Sequence, residues 1–199
     1  MTGVGKLSKE EMVTTSGLQV GQDLVLTKWA GLEGTAIIAN DHEEELLTRY
    51  TRDFIKGAQG FMEHISVIKE ARIGKGYGVT AMHDVTEGGI YGALWEIAAA
   101  SGVGVEVDLK RIPLKQETVE FCEFFDLNPY KLISSGCMLM GTHRGNDLVQ
   151  ALEREGISAA VIGKVTEGHE RIVLNEEERR FLEPPKSDEI YKVGQTSNK

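Results

Sequence analysis

The chain has 199 residues, and its 22 Lys and Arg against 31 Asp and Glu residues give a formal net charge of −9 at pH 7. This charge opposes contact with nucleic-acid phosphates and anionic lipids, which excludes nucleic-acid binding as the main role and disfavours a membrane partner. Hydrophobic residues make up 41% of the chain, enough to fill the core of one good-sized domain. No apolar run approaches the ~18–20 residues of a membrane span. The cysteines form no CxxC pair, so the sequence predicts a cytoplasmic globular protein.

Hydrophobic periodicity predicts alternating strands and helices. In chain order, we expect a strand at 23–28, a helix at 31–40, broken helices over 41–70, a glycine-rich loop at 73–78, a strand at 78–83, a helix at 90–102, a strand at 103–109, a helix at 116–126, a strand at 137–141, a helix at 147–155, and strands at 159–165 and 171–174. This order predicts an α/β (α+β-like) domain with a mixed β-sheet layered with helices. The short connection 166–170 predicts that the last two strands form a hairpin.

The domain boundaries follow from the same pattern. Residues 1–22 are expected to form a connector and the entry to the domain, and residues 23–183 the domain itself. The run Glu183-Pro184-Pro185 ends the regular structure, because proline fixes φ and has no backbone N–H group. Residues 184–199 are therefore predicted to form a loose tail.

The most informative motif lies where a predicted strand meets a predicted helix. Asp84 is a favourable N-cap, and Glu87 follows it at the spacing of a capping box. Gly88 and Gly89 then fall in the first helical turn, where each costs about 1 kcal/mol relative to Ala. One interpretation is a phosphate cradle, in which free N–H groups of the helix start and the Thr86 hydroxyl contact an anion. The other is close packing of the helix start against a neighbouring strand, and the pattern leaves both open.

A second candidate is the run Ser134-Ser135-Gly136 before a buried strand. Small hydroxyl residues at this position either line a ligand cleft or form a turn, and we favour the turn. Cys122 and Cys137 lie among apolar residues, which predicts core packing rather than nucleophilic chemistry.

These motifs together resemble the C-terminal domain of the AIR synthase (aminoimidazole ribonucleotide synthetase)-related superfamily, and HypE-like hydrogenase-maturation members most of all. The resemblance rests on the Asp84–Gly89 run with the helix and strand that follow it, on 21–27 with 31–39, and on Leu127-Asn128-Pro129. It also includes Pro113 and the Ser135-Gly136 pair, and it extends over roughly residues 3–192.

The resemblance implies a role in ATP-dependent chemistry. Members have two domains, activate a small-molecule oxygen by phosphoryl transfer, and hold ATP and Mg²⁺ on acidic residues of an N-terminal domain that has no counterpart in this sequence. This chain would then supply one wall of the cleft and be inactive alone. Its partners would be the N-terminal ATP-binding domain, in cis or in trans, a small-molecule substrate and a possible second copy in a homodimer. Phosphate or substrate would contact Asp84, Thr86, Gly88, Gly89, Ser135 and Gly136, and Asp84 or Glu87 would contact Mg²⁺.

Two departures from HypE limit this expectation. The sequence ends without the reactive C-terminal cysteine of HypE, so the complete HypE reaction is not expected. Glu87 also stands where HypE has an arginine, and a carboxylate there would repel a bare phosphate. The alternative is a standalone, non-catalytic binding or assembly module with the same fold.

Overall fold

A computed structural model describes residues 6 and 8–194, with the remaining terminal residues outside it. Over these residues the chain forms seven strands: β1 (Asp23–Thr27), β2 (Ala81–Asp84), β3 (Gly104–Asp108), β4 (Met138–Thr142), β5 (Ala159–Thr166), β6 (Arg171–Asn175) and β7 (Glu178–Phe181). The α-helices of the same part are α1 (Leu32–Asp41), α2 (Glu43–Leu46), α3 (Arg52–Gln59), α4 (Ile68–Gly76), α5 (Gly89–Ser101), α6 (Gln116–Phe124) and α7 (Gly145–Arg154). Short 3₁₀ turns lie at Lys9–Glu11, Gly60–His64, Leu109–Arg111, Pro129–Lys131 and Glu189–Lys192.

The strands form one mixed sheet in the order β2-β4-β1-β5-β3-β6-β7. All neighbouring strands are antiparallel except β3 and β6, which are parallel. The predicted mixed sheet layered with helices is therefore confirmed. None of the helices in residues 8–194 is long and apolar enough to cross a membrane.

Helices cover both faces of the sheet at its interior strand β1. Because successive strand residues point to opposite faces, Leu24 and Leu26 pack in the core with α1 and α5, whereas Val25 packs in the core with α4 and α7. The side chains on both faces of β1 are fully buried, which explains why Leu24, Val25 and Leu26 form a continuous apolar run. Helices α3 and α6 pack on the outer side of α1 around Ile38 and Phe121.

The predicted hairpin between the last two predicted strands is wrong, because β3 lies between β5 and β6 and bonds to both. The connection 167–170 is long enough to pass β3 and reach β6. The distance is two strand spacings, about 10 Å, and four residues extend to about 13 Å. A hairpin does form one strand later, between β6 and β7, and Glu176 in its turn has a φ of 57°. All four residues of β7 are exposed, so this strand carries no alternation that the sequence pattern could reveal.

The predicted loop at 73–78 is also wrong, because α4 continues to Gly76. Close packing accounts for its glycine content: a Cβ on Gly74 would lie 2.8 Å from the sulfur of Met140 and 2.8 Å from the terminal methyl of Met82. A side chain at this position would therefore force the helix away from the sheet.

The chain segments before and after the domain contact it. Thr14 pairs with Ala81 beside the outer edge of β2, and the Thr15 hydroxyl lies 3.2 Å from Nδ1 of His83. The expected loose tail at 184–199 differs from the structure over 188–193, where Asp188 and Glu189 are buried. The carboxylates of these two residues accept hydrogen bonds from the domain, which is the physical reason for the difference. Residues 195–199 lie outside the described part.

A buried lysine joins three loops at the end of β1. The Lys28 ammonium donates to the carbonyl oxygens of His64, Ser66 and Gly136 at 2.7–2.8 Å and lies 2.6 Å from the Glu70 carboxylate. The Lys28 and Glu70 side chains are only 8% and 2% exposed. The Lys28 ammonium thus has a partner for each of its N–H groups, and each buried charge needs the other to remain stable in the interior.

Lys28→Ala is expected to lower the free energy of unfolding by about 3–5 kcal/mol, because it leaves the Glu70 charge buried without a partner. Urea unfolding followed by circular dichroism measures this change. The matched control is Lys75→Ala, which removes an exposed lysine at the same 2.6 Å from Glu11 and is expected to change the midpoint little. Equal losses in the two variants would show that burial does not determine the contribution of the Lys28 pair.

Candidate functional site

The turn between β2 and α5 differs from the predicted capping box. Asp84 is the exposed last residue of β2, and α5 begins five residues later, with Gly88 as its N-cap. Gly88 and Gly89 have φ values of 81° and 61°, a left-handed conformation that favours glycine. These two residues delay the helix start, so Asp84 does not cap it, and that prediction is wrong.

Gly89 is required by close approach of a second backbone. A Cβ on Gly89 would lie 2.7 Å from the carbonyl oxygens of both Tyr130 and Leu132. The 3₁₀ turn Pro129–Lys131 therefore lies directly on the first turn of α5. Gly88 has more room, since a Cβ there would lie 3.5 Å from Pro185 and from Gly92. Packing thus explains Gly89 without any ligand.

An internal carboxylate lies at the start of α5. Asp188, only 3% exposed, accepts hydrogen bonds from the backbone N–H groups of Gly88 (2.6 Å), Ile133 (3.2 Å) and Ile190 (2.9 Å). A negative charge is favourable there because of the free N–H groups and the helix dipole. Asp188 therefore takes the Gly88 N–H group, to which the cradle interpretation assigns a phosphate.

The polar residues of the motif, Asp84, Thr86 and Glu87, are exposed. The Glu87 carboxylate accepts a hydrogen bond from the Tyr191 hydroxyl at 3.2 Å, and the Glu87 charge raises the pKa of Tyr191. Asp84 and Thr86 lie on the surface beside it. Asp84 and Glu87 belong to no group of three His, Cys, Asp or Glu side chains able to hold a metal ion, and residues 8–194 contain no such group. A contact of Asp84 or Glu87 with Mg²⁺ therefore stays a prediction, and we derive no step through this ion.

The second candidate forms a turn. The Cys137 N–H donates to the Ser134 carbonyl at 3.0 Å, and Gly136 has a φ of 100°. A Cβ on Gly136 would lie 2.9 Å from the His64 carbonyl oxygen, and the Gly136 carbonyl accepts a hydrogen bond from Lys28. Pairing of Val85 with Cys137 brings this turn and the Asp84–Gly89 motif to the same end of the sheet.

A cleft lies beside the start of α5 and consists of two adjoining cavities. The first, about 270 Å³, is lined by Gly88, Tyr91, Lys131, Pro184, Pro185 and Lys192, among others. The second, about 280 Å³, has the apolar residues Leu109, Val173, Phe181 and Leu182 in its wall. Tyr91, Lys131 and Glu183 line both cavities. Of the six predicted contact residues, Gly88 alone lines either cavity.

Tyr91, which lines both cavities, stacks on Tyr130. The Tyr91 and Tyr130 rings are parallel within 11°, with centroids 5.4 Å apart. Burial, helped by the neighbouring Tyr130, raises the pKa of Tyr91 to about 12, and burial also raises the pKa of Tyr130. Both hydroxyls therefore stay protonated near neutral pH, and Tyr91 gives the cleft an aromatic surface without charge.

Sequence reasoning missed Tyr91, Lys131 and Asp188. Tyr91 and Lys131 sit next to motifs that the sequence does identify, the glycine pair and Asn128-Pro129. Asp188 lies 100 residues from Gly88 in sequence. Within its own segment, its carboxylate accepts a hydrogen bond from the Ile190 N–H group, an Asx-turn spacing that many aspartates share.

Comparison with known proteins places this fold in a family. The family model described as AIR synthase related protein, C-terminal domain, matches residues 19–175. The chain belongs to the AIR synthase related family. This AIR synthase related domain is 27% identical over 197 residues to a Methanocaldococcus jannaschii protein named as a hydrogenase expression/formation protein, covering 96% of this chain and 56% of that protein.

Two further relatives carry the name HypE. The carbamoyl dehydratase HypE of Rhizobium leguminosarum bv. viciae is 28% identical over 167 residues, covering 77% of this chain and 47% of that protein. A hydrogenase maturation protein HypE solved in complex with ATP has the same fold, with a TM-score of 0.70 and 16% identity over 94% of this chain and 57% of that one. The chain thus spans about half the length of each of these three relatives.

Asp188→Ala is expected to destabilise this AIR synthase related domain by about 1–3 kcal/mol, because three N–H groups lose their acceptor. Asp188→Asn keeps one side-chain oxygen and is expected to lose less. Urea unfolding measures the loss, and faster hydrogen exchange at the Gly88 amide assigns it to the α5 start. Asp147→Ala, which removes an exposed aspartate from the first turn of α7, is the control. Unchanged Gly88 exchange in Asp188→Ala would contradict a direct role for this carboxylate.

Both cysteines are expected to resist a thiol reagent at pH 8 in the folded domain. Burial raises the pKa of Cys122 and of Cys137 from 9.0 to about 12, and the thiolate is the reactive form. Folding raises these pKa values, so the folded chain holds the thiol protons more tightly than the unfolded chain does. The resulting contribution to the free energy of unfolding is complete below pH 9.0 and is lost as the pH rises toward 12. Spectrophotometric titration with a disulfide reagent, with and without urea, measures the reaction. Rapid labelling without urea would contradict their placement in the core.

Proposed function

We propose that this chain is the substrate-binding half of an ATP-dependent, HypE-like enzyme that activates a small-molecule oxygen by phosphoryl transfer. The observation that carries this proposal is the cleft beside the start of α5, in a domain of the AIR synthase related family. The cleft lies at a helix N-terminus, a favourable place for an anionic group. Its two cavities together have the size of a site for a small molecule.

The ATP-binding part of this enzyme is a separate domain, joined in cis or in trans. A related HypE was solved with ATP, and another relative is named a carbamoyl dehydratase, but this chain spans about half of each. Residues 8–194 supply no three-ligand metal group, and phosphoryl transfer depends on positioning and charge neutralisation. We therefore assign ATP and Mg²⁺ to the other half and expect the chain alone to be inactive.

Within the chain, the predicted contact residues divide into two groups. Gly88 lines the cleft, and the exposed Asp84 and Thr86 are available where the ATP-binding half would meet this wall. Gly89, Ser135 and Gly136 act through packing and turn formation in this proposal, since their backbones are held by close neighbours or by the turn. A phosphate that binds the Gly88 N–H group must displace Asp188.

One observation favours a second candidate function, a binding or assembly module without chemistry. Asp188 already satisfies the Gly88 N–H group from within the chain, so the start of α5 is stable without a ligand. In such a module the cleft would bind no phosphate, and self-association as a homodimer would be one route to assembly. Titration with a phosphate separates the two proposals.

The test is a titration of the ¹⁵N-labelled chain with inorganic phosphate and, separately, with adenosine. The enzyme proposal predicts phosphate-dependent shifts at the Gly88 and Tyr91 amides, and none with adenosine, because the nucleoside site lies in the other half. Gly88→Val is expected to abolish the phosphate shifts at Tyr91 by filling the cleft wall. Gly168→Val is the matched control, because Gly168 has a similar φ of 76° and an open surround.

Phosphate shifts that survive Gly88→Val would refute the role of the α5 start. The absence of phosphate shifts in the unmodified chain would favour the binding module. Adenosine-dependent shifts along the cleft would contradict the assignment of ATP to the other half.

A further inference from the structure

Lys131 is the basic residue of the cleft whose charge is left uncompensated. Lys186 lies 3.1 Å from Glu183, Lys192 lies 2.7 Å from Glu189, and Arg180 lies 2.8 Å from Glu178. Within residues 8–194, the Lys131 ammonium makes neither an ion pair within 4.0 Å nor a hydrogen bond. Its field does reach Glu183, where Lys186 and then Lys131 lower the pKa of the carboxyl group.

The position of Lys131 is fixed by the fold. It ends the 3₁₀ turn Pro129–Lys131, which Asn128 caps by accepting a hydrogen bond from the Tyr130 N–H group at 3.0 Å. The same turn lies on Gly89, and the stacked Tyr91 and Tyr130 rings hold it from the side. The backbone of Lys131 is therefore held in place before a ligand binds, so binding costs little backbone entropy at this residue.

The charge of the cleft is opposite in sign to that of the whole chain. The first cavity is lined by three lysines and two glutamates, and the second by Lys131 and Arg180 against Glu183. Each cavity therefore carries a formal charge of +1 in a protein of net charge −9. Such a local excess attracts anions while the rest of the surface repels them.

The second cavity adds an apolar region next to this charge. Leu109, Val173, Phe181 and Leu182 lie in its wall, and Lys131 stands at its junction with the first cavity. A ligand that places an anionic group at Lys131 can bury a flat or aliphatic body against these side chains and the Tyr91 ring. A bare inorganic ion would leave this apolar wall unused.

We propose that Lys131 is the anion-binding residue of the cleft, and that the substrate is a small organic phosphate or carboxylate whose apolar body occupies the second cavity. This inference rests on the proposed function and names the substrate class of that site. It gives Lys131 a binding role, with the anion held at the junction of the two cavities.

The test uses phenyl phosphate and benzoate as probes, compared with inorganic phosphate and acetate, and follows amide shifts in the ¹⁵N-labelled chain. Each aromatic anion is expected to bind more tightly than its inorganic or aliphatic counterpart and to shift the Val173 and Phe181 amides. The tighter of phenyl phosphate and benzoate identifies whether the natural anion is a phosphate or a carboxylate. Lys131→Gln is expected to weaken binding about tenfold, the size of one charge-assisted hydrogen bond.

Two variants make the test specific. Lys131→Arg keeps the charge and is expected to retain binding, whereas loss of binding in both variants with an altered spectrum would show damage to the fold. Lys56→Gln, which removes the same charge from the exposed surface of α3, is expected to bind like the unmodified chain.

The outcomes separate this inference from the proposed function. If inorganic phosphate shifts Gly88 and Tyr91 equally in the unmodified chain and in Lys131→Gln, the proposed function stands and the role of Lys131 is refuted. If the aromatic probes gain nothing over inorganic phosphate, the apolar part of the substrate class is refuted. If no anion binds the unmodified chain, both proposals fail.

Discussion

The contact between Gly89 and the backbone of residues 130–132 is the constraint on which the cleft depends. Two carbonyl oxygens lie where a side chain at Gly89 would begin, so the 3₁₀ turn and α5 can touch only if this residue is glycine. The contact places Tyr130 against Tyr91 and Lys131 at the wall of both cavities. The conformational cost of two consecutive glycines is thus offset by a packing arrangement that also shapes the cleft.

Asp188 completes this arrangement from the other end of the chain. Its carboxylate accepts hydrogen bonds from the Gly88 and Ile133 N–H groups and so links the segment after β7 to both α5 and the loop that precedes β4. Pro184 and Pro185, four and three residues earlier, thereby become part of the cleft wall. A carboxylate at the helix start also lowers the local positive potential, which leaves Lys131 as the source of uncompensated positive charge beside it.

The sequence predicted those parts of the fold that local patterns determine. Strand β1 and helix α5 have apolar residues at the spacing of their own structure, and both were placed within one residue of their observed ends. The insertion of β3 between β5 and β6 depends on hydrogen bonds between distant segments, so the short connection before β6 wrongly favoured a hairpin. The sequence pattern does not predict the C-terminal end of α4, because Gly74 and Gly76 are unfavourable for a helix. The close contact of Gly74 with Met82 and Met140 explains why this position is glycine.

The candidate site divides in the same way. The glycine pair was visible because glycine at a helix start is costly unless something requires it, and that argument needs no tertiary structure. The sequence leaves two interpretations of this pair open, an anion cradle and close packing, and the structure gives the two glycines different surroundings. Gly89 is held by packing, whereas Gly88 lines a cavity and donates to a carboxylate. That carboxylate is 100 residues away in sequence, so no local pattern could have shown that the chain itself supplies the acceptor for the Gly88 N–H group.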